Sequence, residues 1–200
     1  KLPLCGRHNV DNAVGCVAAA LAVGVPPAVS LKALETFAGV PGRLQSVPNH
    51  RGVHVFVDYA HSPDALENVL QALRSVRAES EEKQAKITTV FGCGGDRDKG
   101  KRPLMAQAAA RLSERVIVTS DNPRTEDPLQ IIREIEAGFA GSSVVWRSIP
   151  DRREAIAAAL QGASAGDVVL IAGKGHEDYQ IIGTEKKSFS DYQVAEELLR

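Results

Sequence analysis

From residue 53 onward the chain repeats one pattern. A short apolar, β-branched run is followed by a polar turn, and the turn by a helical stretch. Val53-His54-Val55-Phe56-Val57 is such a run, and others lie at 87–91, 115–119, 143–146 and 167–171. Helices are predicted between them. One runs over 62–78, with Ser62 as cap and Pro63 at the first position. Others span 103–112, start at Asp127-Pro128, and span 151–161. Strands alternating with helices predict an α/β fold with a mostly parallel sheet and helices on both faces. Residues 179–182 and 187–189 suggest a hairpin around Gly183, and Ser190 with Gln193 forms a capping box for a last helix.

In such sheets ligands bind beyond the carboxyl ends of the strands. Four polar, glycine-bearing segments fall at those ends, at 58–61, 92–102, 121–124 and 173–177. The topology should bring them to one edge of the sheet.

The first part of the chain reads differently. Residues 9–25 form a small-residue helix that Pro26 and Pro27 should stop, and a second helix spans 30–37. Gly39, Pro41 and Gly42 then break the chain and mark the expected domain boundary. The start, Lys1-Leu2-Pro3-Leu4, reads as mid-domain sequence, which suggests a fragment, and 79–86 reads as a charged surface loop.

Composition narrows the function. With 44% hydrophobic and 24% charged residues the chain is globular rather than disordered. A net charge of −1 lacks the basic excess of a nucleic-acid binder. No signal peptide is visible, and the apolar run at 13–25 is too short to span a bilayer. Cys5, Cys16 and Cys93 are scattered and read as free thiols of a cytoplasmic protein. The histidines show no zinc spacing, so no metal site is expected. A monomer is expected.

Gly95-Asp96-Arg97-Asp98-Lys99-Gly100-Lys101-Arg102 nearly spells a phosphate-binding P-loop. Its last position is Arg102 rather than a hydroxyl residue, and Asp96 and Asp98 would repel phosphates. A glycine-rich turn carrying basic residues for another anion fits better, with a P-loop kinase as the rival. Arg97 stands where a dinucleotide fingerprint needs its third glycine. Asp121-Asn122-Pro123-Arg124 puts a guanidinium and an amide at a strand end, as a carboxylate clamp would, or as a plain turn with an exposed arginine would. Gly173-Lys174-Gly175-His176-Glu177 lets backbone approach a ligand and offers Glu177 to an ammonium; its plainer reading is a mobile loop. Arg124 with Glu177 suits a zwitterionic amino-acid head. Asp58 can accept bonds from ribose hydroxyls. His61 is a possible general base, though a histidine satisfied by backbone is the simpler reading.

Taken together these segments resemble the Mur ligase family over nearly the whole chain. Gly6-Arg7-His8-Asn9-Val10-Asp11-Asn12 is similar to a helix start whose asparagines lie near adenine, except that His8 replaces an aromatic residue. Pro41-Gly42-Arg43-Leu44 is similar to a turn whose arginine reaches the nucleotide, and the run from Val57 to Leu66 to a segment whose aspartate holds the ribose. Asp121-Asn122-Pro123-Arg124 resembles the motif of the diaminopimelate-adding members. The resemblance implies an ATP- and Mg²⁺-dependent amide ligase of peptidoglycan synthesis. Such an enzyme joins meso-diaminopimelate to UDP-N-acetylmuramoyl-L-alanyl-D-glutamate through an acyl phosphate. It implies a diaminopimelate site of Arg97, Asp121, Asn122, Arg124, Gly173 and Glu177, and nucleotide contacts from Asn9, Asn12, Arg43, Asp58, Tyr59 and His61. No general base is assigned, with His61 and His176 as candidates. The family's phosphate loop and most of its Mg²⁺ ligands would precede Lys1, so the fragment alone should be inactive. Residues 1–39 would end the central ATP-binding domain, and 40–200 would be a Rossmann-like C-terminal domain. A non-catalytic amino-acid-binding module is the other alternative.

Overall fold

The structure, a computed structural model, describes residues 6–79 and 85–200. The stretch Lys1-Leu2-Pro3-Leu4, Cys5 and most of the 79–86 loop lie outside the described residues.

Two helices come first, α1 (Arg7–Ala22) and α2 (Pro27–Glu35). The prolines open α2 instead of closing α1. Pro26 is the cap and Pro27 the first position, where a fixed φ helps and a missing N–H costs nothing. Helix α1 ends before Gly24, whose φ of 87° leaves the helical region. No residue of α2 is buried, and Val14, Leu21 and Val29 are each more than half exposed.

The remaining elements follow in chain order. They are β1 (Gln45–Val47), β2 (His54–Asp58), α3 (Pro63–Glu79), β3 (Ile87–Phe91), α4 (Lys101–Leu112), β4 (Arg115–Val118) and α5 (Pro128–Glu136). Then come β5 (Val145–Ser148), α6 (Arg152–Gln161), β6 (Val168–Ala172), β7 (Tyr179–Ile182), β8 (Glu185–Ser188) and α7 (Asp191–Leu198). A 3₁₀ turn at Ala137–Phe139 extends α5. Helix α4 starts two residues before Pro103, because a proline in the first turn forfeits no intrahelical bond. Asp127, Asp151 and Ser190 cap their helices through side-chain oxygens that accept from Leu129, Glu154 and Gln193 N–H.

The main sheet has the order β1-β2-β6-β3-β4-β5. Every pairing in it is parallel except β1 with β2. Strand β1 has no counterpart in the sequence reading, because three residues ending before Pro48 carry too little pattern. Strands β3 and β6 are buried at every position, as central parallel strands must be.

The pleat of β6 divides two cores. Leu170 and Ala172 pack with Leu66 and Leu70 of α3, Met105 of α4 and Ile132 of α5. Val169 and Ile171 pack with Ile156 and Leu160 of α6 and Val194 of α7. The chain steps outward through β3, β4 and β5, and α6 then returns it to insert β6 between β2 and β3. That reversal opens a crevice at the carboxyl ends of β2, β6, β3 and β4.

Candidate active site

The crevice holds a cleft of about 380 Å³, within the range of small-molecule sites. Arg97, Asp121, Asn122, Arg124, Gly173 and Glu177 all line it, together with Tyr59, His61, Asp98, Lys101 and Tyr179. The four strand-end segments therefore do meet at one edge of the sheet.

Each wall has an identifiable support. Arg124 has a φ of 51°, in the left-handed region that most side chains avoid. The β7–β8 hairpin holds it there by main-chain bonds. Arg124 N–H donates to Ile181 O at 3.1 Å, and Gly183 N–H donates to Arg124 O at 2.8 Å. Its guanidinium is half-buried and donates to Gly95 O at 2.8 Å. Arg97 is exposed at the rim and donates to Asp96 O at 3.2 Å. Gly173 has a φ of 118° and abuts the Asp121 carboxylate, so a side chain there meets both strain and a charged group.

Asn122 is a tie more than a free donor. Its Oδ1 accepts from Ile181 N–H at 2.9 Å and from Lys174 Nζ at 3.2 Å, and its Nδ2 donates to Glu177 Oε2 at 3.0 Å. One Nδ2 proton thus fixes Glu177. Lys174 is fully buried, so the mobile-loop reading of 173–177 does not hold. Its ammonium bonds Glu177 Oε2 at 3.2 Å and lies 3.7 Å from Asp121 Oδ1. Burial pushes the Asp121 carboxyl above its usual range, while Arg152 and Lys174 pull it back. The Tyr179 hydroxyl is raised chiefly by the neighbouring Glu177 charge.

A second buried pair lies beneath. Arg152 and Asp191 are fully buried and share two bonds of 2.8 Å. Arg152 also donates to Ser120 O at 3.3 Å and to Ala172 O at 3.0 Å, which ties the ends of β4 and β6.

The near P-loop does not make a phosphate cradle. Asp96 N–H donates to Glu126 at 2.6 Å and Gly100 N–H to Asp98 at 2.8 Å, so carboxylates already occupy amides a phosphate would need. Arg102 is buried between Glu126 and Glu134. This arrangement removes the basis of the kinase reading.

The residues expected at a nucleotide separate into groups. Asp58 accepts from Leu44 N–H at 2.7 Å and Ala60 N–H at 2.8 Å, one on each carboxylate oxygen. In the structure it anchors the Pro41-Gly42-Arg43 turn to β2. The Arg43 guanidinium lies 5.0 Å from the Tyr59 ring centre, and the His61 and His176 rings lie 4.6 and 5.3 Å from it. His61 Nδ1 donates to Tyr59 O at 2.8 Å, the backbone-satisfied arrangement. Asn9 and Asn12, on α1, are not among the cleft residues. Among the described residues no group of three or more His, Cys, Asp or Glu is placed to hold a metal ion.

Residues 42–175 match the family model described as Mur ligase, glutamate ligase domain. The chain belongs to the Mur ligase family. It is 52% identical over 204 residues to the UDP-N-acetylmuramoyl-L-alanyl-D-glutamate--2,6-diaminopimelate ligase of Parasynechococcus marenigrum, covering 99% of this chain and 39% of that one. The protein of the same name from Lactiplantibacillus plantarum is 49% identical over 99% of this chain and 38% of its own. This Mur ligase chain thus spans about two fifths of the length of these curated relatives. A solved structure of a diaminopimelate ligase of that name superposes with a TM-score of 0.74 at 43% identity, over 100% of this chain and 39% of the other. The UDP-N-acetylmuramate-alanine ligase of Thermotoga maritima superposes at 0.68 and 26% identity, over 88% and 36%. No described helix of this Mur ligase chain is long and apolar enough to cross a membrane.

Proposed function

We propose that this chain is the amino-acid-binding part of an ATP-dependent ligase that joins meso-diaminopimelate to UDP-N-acetylmuramoyl-L-alanyl-D-glutamate in peptidoglycan synthesis. One observation carries the reading. Arginines Arg97 and Arg124 and the Glu177 carboxylate face the same cleft, among other charged residues, and both signs together are the charge pattern that receives a carboxylate and an ammonium on one ligand head. Lysine has no carboxylate at its distal end for the arginines to hold. The names of the relatives agree with this choice of amino acid.

Arg124 would form the fork on the distal carboxylate with Arg97 beside it, and Glu177 would take the ammonium. Asp121, Asn122 and Gly173 would shape the floor. The other amine would then face an acyl phosphate formed from ATP on the D-glutamate side-chain carboxylate. Attack gives a tetrahedral intermediate and then the amide, with phosphate as leaving group. This chain's contribution is orientation and exclusion of water.

The Arg43–Tyr59–His61–His176 surface suits the adenosine end of a nucleotide. The occupied amides of the 95–102 loop do not suit its phosphates, so these are assigned to residues preceding Lys1 in the longer relatives. Among the described residues no acidic, histidine or cysteine cluster is placed to hold Mg²⁺. By the same reading residues 1–39 close a central ATP-binding domain with Asn9 and Asn12 near the adenine, and 40–200 form the C-terminal domain. The full protein would act in the cytoplasm as a monomer, and the piece alone would be inactive.

The test is kinetic. In the full-length protein Arg124→Ala should raise the diaminopimelate KM about tenfold or more, the loss of one charged two-pronged contact, with the ATP KM far less affected. Equal effects on both would count against the clamp. An amino-acid-binding module without catalysis would form no amide at all.

A further inference from the structure

One buried cation has no part in that account. Lys174 lies between two glycines at the end of β6, and its side chain reaches no solvent. Its ammonium has three protons, and three acceptors surround it. Asn122 Oδ1 and Glu177 Oε2 lie at 3.2 Å and Asp121 Oδ1 at 3.7 Å. The Tyr179 ring packs on the same ammonium, 5.4 Å from its centre. A group so enclosed does not touch a ligand in the cleft. It acts only through the groups it holds.

Charge matching gives it a task. Arg152, the other buried cation nearby, is matched by Asp191 through two bonds of 2.8 Å. Asp121 and Glu177, both lining the cleft, are left to share Lys174. Their charges oppose one another, and Lys174 lies 3.7 Å from the first and 3.2 Å from the second, while Arg152 acts on both carboxylates from beneath. Glu177 Oε2 is pinned from two sides, by Lys174 and by Asn122 Nδ2 at 3.0 Å.

We propose that Lys174 is a positioning residue that, together with Asn122, fixes Glu177 toward the cleft, so that this carboxylate is held where it selects a ligand carrying an ammonium group. The proposal rests on the amino-acid reading of the cleft. A lysine that only filled space would be replaced without selective effect by an apolar chain of the same length, since stem packing and not charge would be what the fold uses.

The test uses the full-length protein with diaminopimelate and ATP varied separately. Lys174→Met keeps the stem and loses the charge. It should raise the diaminopimelate KM about tenfold or more and leave the ATP KM within about twofold. Lys174→Ala should lose diaminopimelate use in the same way and regain part of it with added propylammonium, but not with 1-propanol. Should Lys174→Ala not fold, the Lys174→Met comparison decides alone. Equal rises in both KM values, no rise, or rescue by propanol as good as by propylammonium would overturn the assignment while the amino-acid reading stands. Failure of the unsubstituted protein to use diaminopimelate would instead overturn the reading on which it rests.

Discussion

Thr125 Oγ1 donates to the Asp96 carboxylate at 2.8 Å, across 29 residues of chain. The next residue, Glu126, completes the fastening by accepting from Asp96 N–H and from Arg102. These bonds lock the loop after β3 to the turn after β4, and Arg97 and Arg124 stand on those two pieces.

That lock has a pH signature. Bonds from Arg102, then from the Asp96 amide, hold the Glu126 carboxyl down to about 2 from an ordinary 4.5. A lowered folded pKa contributes stability above the unfolded value and loses it as pH falls through the folded one. Thermal stability should therefore fall as pH drops from about 4.5 toward 2, and Glu126→Gln should flatten that part of the Tm profile. An unchanged profile in the variant would place the acid sensitivity elsewhere.

Close approach of the same two pieces depends on Gly95. A Cβ at this position would collide with the Pro123 carbonyl oxygen. Gly95→Ala should cost about 1–3 kcal/mol by overpacking, measured by urea unfolding. A neutral outcome would mean that the turn gives way freely.

The Arg152–Asp191 pair is enclosed on all sides. Asp191→Ala leaves a buried guanidinium without its partner and should cost about 3–5 kcal/mol. Replacing both residues together, Arg152→Met with Asp191→Leu, should cost much less. Denaturation of the unsubstituted protein, the Arg152→Met and Asp191→Leu single variants and the double variant forms the cycle, and additive losses would argue against direct pairing.

Thiol chemistry separates the two described cysteines. Cys16 is exposed and Cys93 is buried. Burial pushes the Cys93 thiol up to about 12 from 9.0, so it carries almost no thiolate near neutral pH. An aromatic disulfide reagent at about pH 8 should label Cys16 at once and Cys93 only after denaturation. Rapid native labelling of Cys93 would contradict the packing against Met105, 3.6 Å from its sulfur.

Much of the architecture was legible in the residues. Strand β3 is read with its observed bounds, and Ser62, Asp127, Asp151 and Ser190 announce their helices because a hydroxyl or carboxylate before an apolar pattern satisfies free amides. Convergence of the strand ends followed from the alternation alone. What stayed hidden was pairing at long range. Nothing near Lys174 in sequence indicates that it is enclosed, since two of its three partners lie about 50 residues away. Nothing near Arg152 in sequence indicates that Asp191 faces it. Asn122 looks like a free amide until the hairpin is seen to occupy its oxygen. Asp58 likewise looks available until the Leu44 and Ala60 amides are found on its two oxygens.

The hairpin grips position 124 by its N–H and carbonyl, groups that almost every amino acid possesses. Exchanging the side chain there changes what the cleft attracts while the main-chain bonds that define the turn survive. Among residues that accept a φ of 51°, ligand preference can thus drift by single substitutions at a modest penalty in folding, which leaves this corner of the molecule open to evolutionary retargeting.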